Sequence, residues 1–137
     1  MKIIEEAVTL ETITKYKDEL FLFNEEMEYL QDKRIIKLMD DNGQLIAISM
    51  YTDKMDKQDV ELFISSKQEK YKDKLCNSIY LDSVYSIQRK CRAVDSIIAY
   101  LKTKCANIWC YSAVDAFNFW TNRKDMQYIG ENIFITC

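Results

Sequence analysis

The run from Ser78 to Leu101 constrains the fold more than any other part of the chain: Ser-Ile-Tyr-Leu-Asp-Ser-Val-Tyr-Ser-Ile-Gln-Arg-Lys-Cys-Arg-Ala-Val-Asp-Ser-Ile-Ile-Ala-Tyr-Leu. Its first part predicts a strand over Ile79–Tyr85. Its last part predicts an amphipathic helix over Ala93–Lys104, because Val94, Ile97, Ile98, Leu101 and Cys105 recur at i, i+3, i+4, i+7 and i+11. Between them Arg89, Lys90 and Arg92 crowd the start of the helix. A first helical turn carries exposed N–H groups and partial positive charge, so it favours Asp or Glu over Lys or Arg. A bound anion accounts for cations there, since a helix start is a natural phosphate site. The other reading of the trio is a solvated turn.

Any such site must act locally. The formal net charge is −3, which supplies no global attraction to nucleic acid or anionic lipid. The 137 residues, nearly half of them hydrophobic, suit one domain over 1–137 with a core of its own. There are five cysteines and no histidine. Cys76, Cys91, Cys105, Cys110 and Cys137 form no C-x-x-C pair. An odd count without a secretory leader favours free thiols in a reducing compartment, so a cytoplasmic location is expected. The absence of histidine argues against a Cys/His zinc site, and no metal is expected. It also excludes Ser–His and Cys–His nucleophile pairs within the chain. The opening Met-Lys-Ile-Ile-Glu-Glu has no signal-peptide core, and no apolar run approaches a membrane span.

Elsewhere the pattern predicts a strand over Ile3–Val8. A helix capped by Thr9 or Thr12 follows, running to about Gln31 on a stripe of Ile13, Tyr16, Leu20, Phe23, Met27 and Leu30, either unbroken or split in two, since Phe21 and Leu22 widen the apolar surface. Arg34–Met39 and Leu45–Tyr51 read as strands joined at Asp40-Asp41-Asn42-Gly43, a hairpin signal. Residues 53–77 fit a short strand or a helix, followed by a charged connector. Ile108–Val114 reads as a strand, Asp115 as the cap of a helix over Ala116–Arg123, and Tyr128-Ile129 and Ile133–Thr136 as final strands.

This order, with its central strand–turn–helix, resembles the GNAT-type N-acetyltransferases, whose motif is Gln/Arg-x-x-Gly-x-Gly/Ala. The matching stretch is Gln88-Arg89-Lys90-Cys91-Arg92-Ala93, with Cys91 at the first glycine. A second family pattern, Asn-x-x-Ala-x-x-x-Tyr followed by Gly-Phe, finds Ala113 at the Asn position, Ala116 at Ala and Trp120 at Tyr. Lys124-Asp125-Met126 stand where Gly-Phe is common. The resemblance implies an α/β (α+β) fold with a mixed, mostly antiparallel twisted sheet flanked by helices. It also implies transfer of acetyl from acetyl-CoA to an amine of a small molecule or protein. By resemblance, Gln88, Arg89, Lys90, Cys91, Arg92 and Ala93 hold the pyrophosphate, and Val84 and Tyr85 lie where a backbone N–H meets the acetyl carbonyl.

The resemblance also implies a general base that is often a carboxylate on the strand before the motif, and Asp82 is the only acid there. Burial at a cleft would suit it for that work, and a solvent-facing or edge-capping role is the alternative. In the family the Tyr at the Trp120 position often protonates the departing thiolate, which indole cannot do, so Tyr111 and Tyr128 are the candidate replacement acids; half-buried core tyrosines are the other reading. Cys91 reads as either a thiol activated by the helix start or a small packing residue. The implied partners are acetyl-CoA and an amine, with a homodimer left open and no nucleic acid or membrane. Two rival readings stand beside the enzyme: a catalytically inactive GNAT-fold binding or inhibitor module, and a scaffold domain independent of CoA.

Overall fold

The computed structural model describes residues 1–20, 30, 32–88 and 92–137. In chain order the elements are β1 (Lys2–Ala7), α1 (Leu10–Tyr16), β2 (Lys33–Met39), β3 (Leu45–Thr52), α2 (Lys57–Glu61), a 3₁₀ helix over Ser66–Tyr71, α3 (Lys72–Cys76), β4 (Ile79–Ser86), α4 (Ala93–Lys102), β5 (Ile108–Tyr111), a 3₁₀ turn over Val114–Ala116, α5 (Phe117–Thr121), β6 (Met126–Gly130) and β7 (Ile133–Thr136). The strands form one mixed sheet in the order β1-β2-β3-β4-β5-β7-β6. The β1–β2, β2–β3, β5–β7 and β6–β7 pairs are antiparallel. The β4–β5 pair is parallel, with Ile79 opposite Ile108 and Tyr80 opposite Trp109. Parallel neighbours need a long crossover, and α4 lies within it. Contacts divide the chain into two units, Met1–Thr52 with Asp82–Tyr100, and Asp53–Leu81 with Leu101–Cys137.

In the first unit the predicted hairpin forms. Asp40 Oδ1 accepts from the amides of Asn42 (2.9 Å) and Gln44 (2.8 Å), and Gly43 takes φ +79°. Nothing lies within 4 Å of a Cβ built there, so the glycine answers a torsional need and not crowding. One face of β2 and β3 buries Ile35, Ile48 and Met50 with Tyr16, Leu20 and Leu30. Thr9 caps α1 in a reciprocal box with Thr12. The sequence predicts helix to about Gln31, unbroken or split in two; α1 ends at Tyr16, and Phe21, Leu22, Phe23 and Met27 lie outside the described residues. On the opposite face Glu5 of β1 gathers the Tyr51 hydroxyl, the Tyr100 hydroxyl (2.6 Å) and Arg34 Nε (3.2 Å). That carboxylate ties α4 to β1. Burial, reinforced by Glu5, pushes the Tyr51 phenol well above its ordinary range.

In the second unit the segment 53–77 holds three short helical pieces, α2, the 3₁₀ helix and α3, with residues 62–65 between the first two. Val60 is fully buried and Leu62 is 83 % exposed, with Ile64 half-buried. The apparent alternation is therefore not a strand. Val60, Leu75, Tyr80, Trp109, Ile133 and Ile135 form the core. The Phe63 ring sits 5.3, 5.4 and 5.7 Å from those of Tyr80, Trp109 and Tyr111. Gln68 is buried and clasps β6. Its Oε1 accepts from the Ser65 amide and hydroxyl, and its Nε2 donates to the Ile129 carbonyl at 3.1 Å. Asp115 does not cap a helix. The 3₁₀ turn starts after Ala113 with no side-chain cap, and α5 begins only at Phe117.

Candidate functional site

The candidate residues on β4 are set by strand alternation, which puts Tyr80, Asp82 and Val84 on one face and Ser83 and Tyr85 on the other. Ser49 Oγ donates to the Ser83 carbonyl at 2.6 Å, tying β3 to β4. Antiparallel register places Lys33 of β2 opposite Thr52 of β3, and β3 neighbours β4 in the sheet. Three successive strands thus supply Lys33, Thr52 and Asp82 to one cluster.

The cluster is a closed hydrogen-bonded triangle. Lys33 Nζ forms an ion pair with Asp82 Oδ1 and donates to Thr52 Oγ1 at 2.9 Å. Thr52 Oγ1 donates to Asp82 Oδ2 at 2.8 Å. The directions are consistent, because ammonium only donates, carboxylate only accepts, and a hydroxyl does one of each. The Lys33 and Asp82 side chains are 16 % and 12 % exposed, so water screens the pair weakly. Chemically the arrangement is a carboxylate already in contact with a primary ammonium group. Lys33 and Thr52 escape the sequence reading because each acquires its role only through register. The available signal is parity: Lys33 falls on the same face of β2 as buried Ile35.

Beyond Asp82, Val84 is half-buried and Tyr85 exposed. The turn after β4 is anchored to β3, since the amides of Ile87 (2.8 Å) and Gln88 (3.2 Å) both donate to the Ile46 carbonyl. Ser86 Oγ donates to the Gln88 carbonyl at 3.0 Å. Arg89, Lys90 and Cys91 lie outside the described residues. Arg92 has an exposed side chain and φ +49°, an uncommon conformation for a non-glycine residue. Its carbonyl accepts from the Ser96 amide at 3.2 Å, and buried Ala93 opens α4.

In the second unit Tyr111 and Tyr128 are 46 % and 49 % exposed. Tyr111 stands on β5 at the same parity as Trp109. Tyr128 pairs across β6–β7 with Phe134, which pairs with Cys110, so the two tyrosines project from opposite faces. Asn132 meets both: its amide donates to the Tyr128 hydroxyl at 3.2 Å and its Nδ2 lies 3.5 Å from the Tyr111 hydroxyl. Cys110 is buried, which pushes its thiol up to about 12 and makes it a poor nucleophile. Among the described residues no group of three or more acids and cysteines could hold a metal ion, and no helix is long and apolar enough to cross a membrane.

No protein-family model matches the sequence, and no curated protein matches it. Solved structures do match the fold. A GNAT-family acetyltransferase from Listeria monocytogenes 4b F2365 aligns over 98 % of this chain and 92 % of its own, with a TM-score of 0.58 and 9 % identity. A structure described as histone acetyltransferase HPA2 and related acetyltransferase, from Corynebacterium glutamicum ATCC 13032, aligns over 95 % and 87 %, with a TM-score of 0.54 and 13 % identity.

Proposed function

We propose that this chain, which has the fold of the GNAT acetyltransferases, transfers acetyl from acetyl-CoA to an amine of a small molecule or protein. The observation that carries the reading is on β4. Asp82 holds a primary amine two residues before Val84, on the strand that leads into the turn and α4. In this reading the acceptor amine takes the place of Lys33 Nζ at the carboxylate, directly or through water, and gives up a proton there as it attacks the thioester carbonyl. The new oxyanion is held by a backbone N–H at Val84–Tyr85. The pyrophosphate lies on amides of the turn before α4. Within that turn the Gln88 amide is already engaged by the Ile46 carbonyl. Backbone donors serve with Cys91 in place of glycine, and the cations of the turn add charge. Tyr111 and Tyr128, the candidate acids, project from opposite faces of the second unit, so a single proton donor would be one or the other.

Calorimetric titration with acetyl-CoA tests binding, and thiol release against a panel of amines and lysine peptides tests transfer. Binding with turnover supports the enzyme. Binding without turnover across the panel would leave a non-catalytic module, and no binding would remove both readings.

A further inference from the structure

We propose that Lys33 is itself an acetylation site, modified on Nζ by acetyl-CoA bound to the same chain. The inference rests on the reading above and adds to it a substrate built into the fold. Transfer requires an amine in contact with a proton acceptor, and Lys33 Nζ meets that requirement by touching Asp82 Oδ1 and Thr52 Oγ1. Thr52, by donating to Asp82 Oδ2, fixes the carboxylate's second oxygen and leaves the first for the amine. The partners come from strands, so the placement is rigid: Lys33 and Thr52 are directly opposed in the β2–β3 register. Along β4 the next residue on the same face is Val84, about 6.7 Å away. The unbranched four-carbon stem of lysine can swing its amine over part of that span.

The step balances without a further reactant. One proton passes from the Lys33 ammonium to Asp82, and the freed lone pair attacks the acetyl carbonyl carbon. An N–C bond forms as the C–S bond breaks. The second proton leaves nitrogen and ends on the CoA sulfur, and Asp82 returns the first to solvent. The products are an uncharged Nε-acetyl-lysine and CoA.

Two other lysines provide internal controls. Lys37 pairs with Glu6 of β1, and Lys72 pairs with Glu61 of α2. Both are ion-paired to carboxylates, but neither carboxylate is on β4. Ordinary chemical acetylation has no reason to prefer Lys33 over these or over exposed lysines.

The test is incubation of the full chain with acetyl-CoA and no added amine, read by intact mass and by peptide mapping. The expected result is one added acetyl group, located on Lys33, with the fraction of chains modified per unit time independent of protein concentration. Lys33→Arg should abolish it, and Asp82→Asn should slow it by about 10²-fold. Acetyl spread over Lys37, Lys72 and exposed lysines, or a fractional rate that rises in proportion to protein concentration, would overturn the inference; neither readout needs a variant that folds. An unmodified Lys33 in a chain that binds acetyl-CoA and acetylates external amines would overturn it while leaving the proposed function standing. No acetyl-CoA binding at all would remove both.

Discussion

Replacing Lys33 by Met removes the ammonium and keeps an unbranched stem. Asp82 is left as a carboxylate with a 12 % exposed side chain, holding the Thr52 hydroxyl but not its cation. Removing one partner of a buried pair costs about 3–5 kcal/mol. The residual exposure of both side chains, 16 % and 12 %, admits some water and points to the lower end, about 3 kcal/mol. With a urea dependence of about 2 kcal/mol per molar, the unfolding midpoint should fall by about 1.5 M. Asp82→Leu added to Lys33→Met takes away both charges, so the double variant should recover much of the loss. The coupling between the sites should lie at about 1–3 kcal/mol. Urea titrations of wild type, both single variants and the double variant, followed by circular dichroism, complete the cycle. A Lys33→Met shift below about 0.3 M, or strictly additive losses, would refute the claim that these side chains form a weakly screened pair.

Gly130→Ala should destabilise by about 2 kcal/mol or more, since Gly130 has φ +97° and a Cβ there would lie 2.4 Å from Gln68 Nε2; an unchanged urea midpoint would contradict the clasp. In the native chain at mildly alkaline pH, a thiol reagent should label exposed Cys137 and spare buried Cys110, whose thiolate forms only near pH 12; mass mapping that finds Cys110 labelled first would contradict its burial. The Arg123 hydrogen bonds hold the Asp125 carboxyl below its ordinary range. A depressed folded value means that this contribution is present above the unfolded pKa of about 3.9 and is lost as pH falls through the lower folded value. Asp125→Asn should therefore weaken the fold at neutral pH and converge with wild type in strong acid, which urea titrations at several pH values would show; a constant difference would sink the assignment.

What could be read from the residues alone was what is local. Asn42-Gly43, a cap at Thr9 or Thr12 and the apolar period of α4 each depend on neighbours within one turn or one hairpin. The segment 53–77 was ambiguous because its helical pieces, α2, the 3₁₀ helix and α3, are only five or six residues each. Pieces that short contain too little of a period to separate 2 from 3.6. Asp115 looked like a cap by type, but the chain turns two residues earlier, after Ala113. The roles of Lys33, Thr52 and Gln68 were not legible, since Asp82 lies 49 and 30 residues from the first two and Ile129 61 residues from the third, and these contacts form only through sheet register and tertiary packing. Asp82 stood out as the lone acid on its strand, but the amine it holds was not legible.

The central claim is that Asp82 accepts a proton from an amine attacking acetyl-CoA on this fold. The most direct measurement is CoA thiol release by wild type and Asp82→Asn against a panel of amines and lysine peptides, with acetyl-CoA affinity measured alongside. The account predicts turnover by wild type, a rate about 10²–10⁴-fold lower for the variant, and nearly equal acetyl-CoA affinity for both. Equal turnover by the two proteins would contradict the role of Asp82, and acetyl-CoA binding without wild-type turnover on any acceptor in the panel would contradict the claim of catalysis.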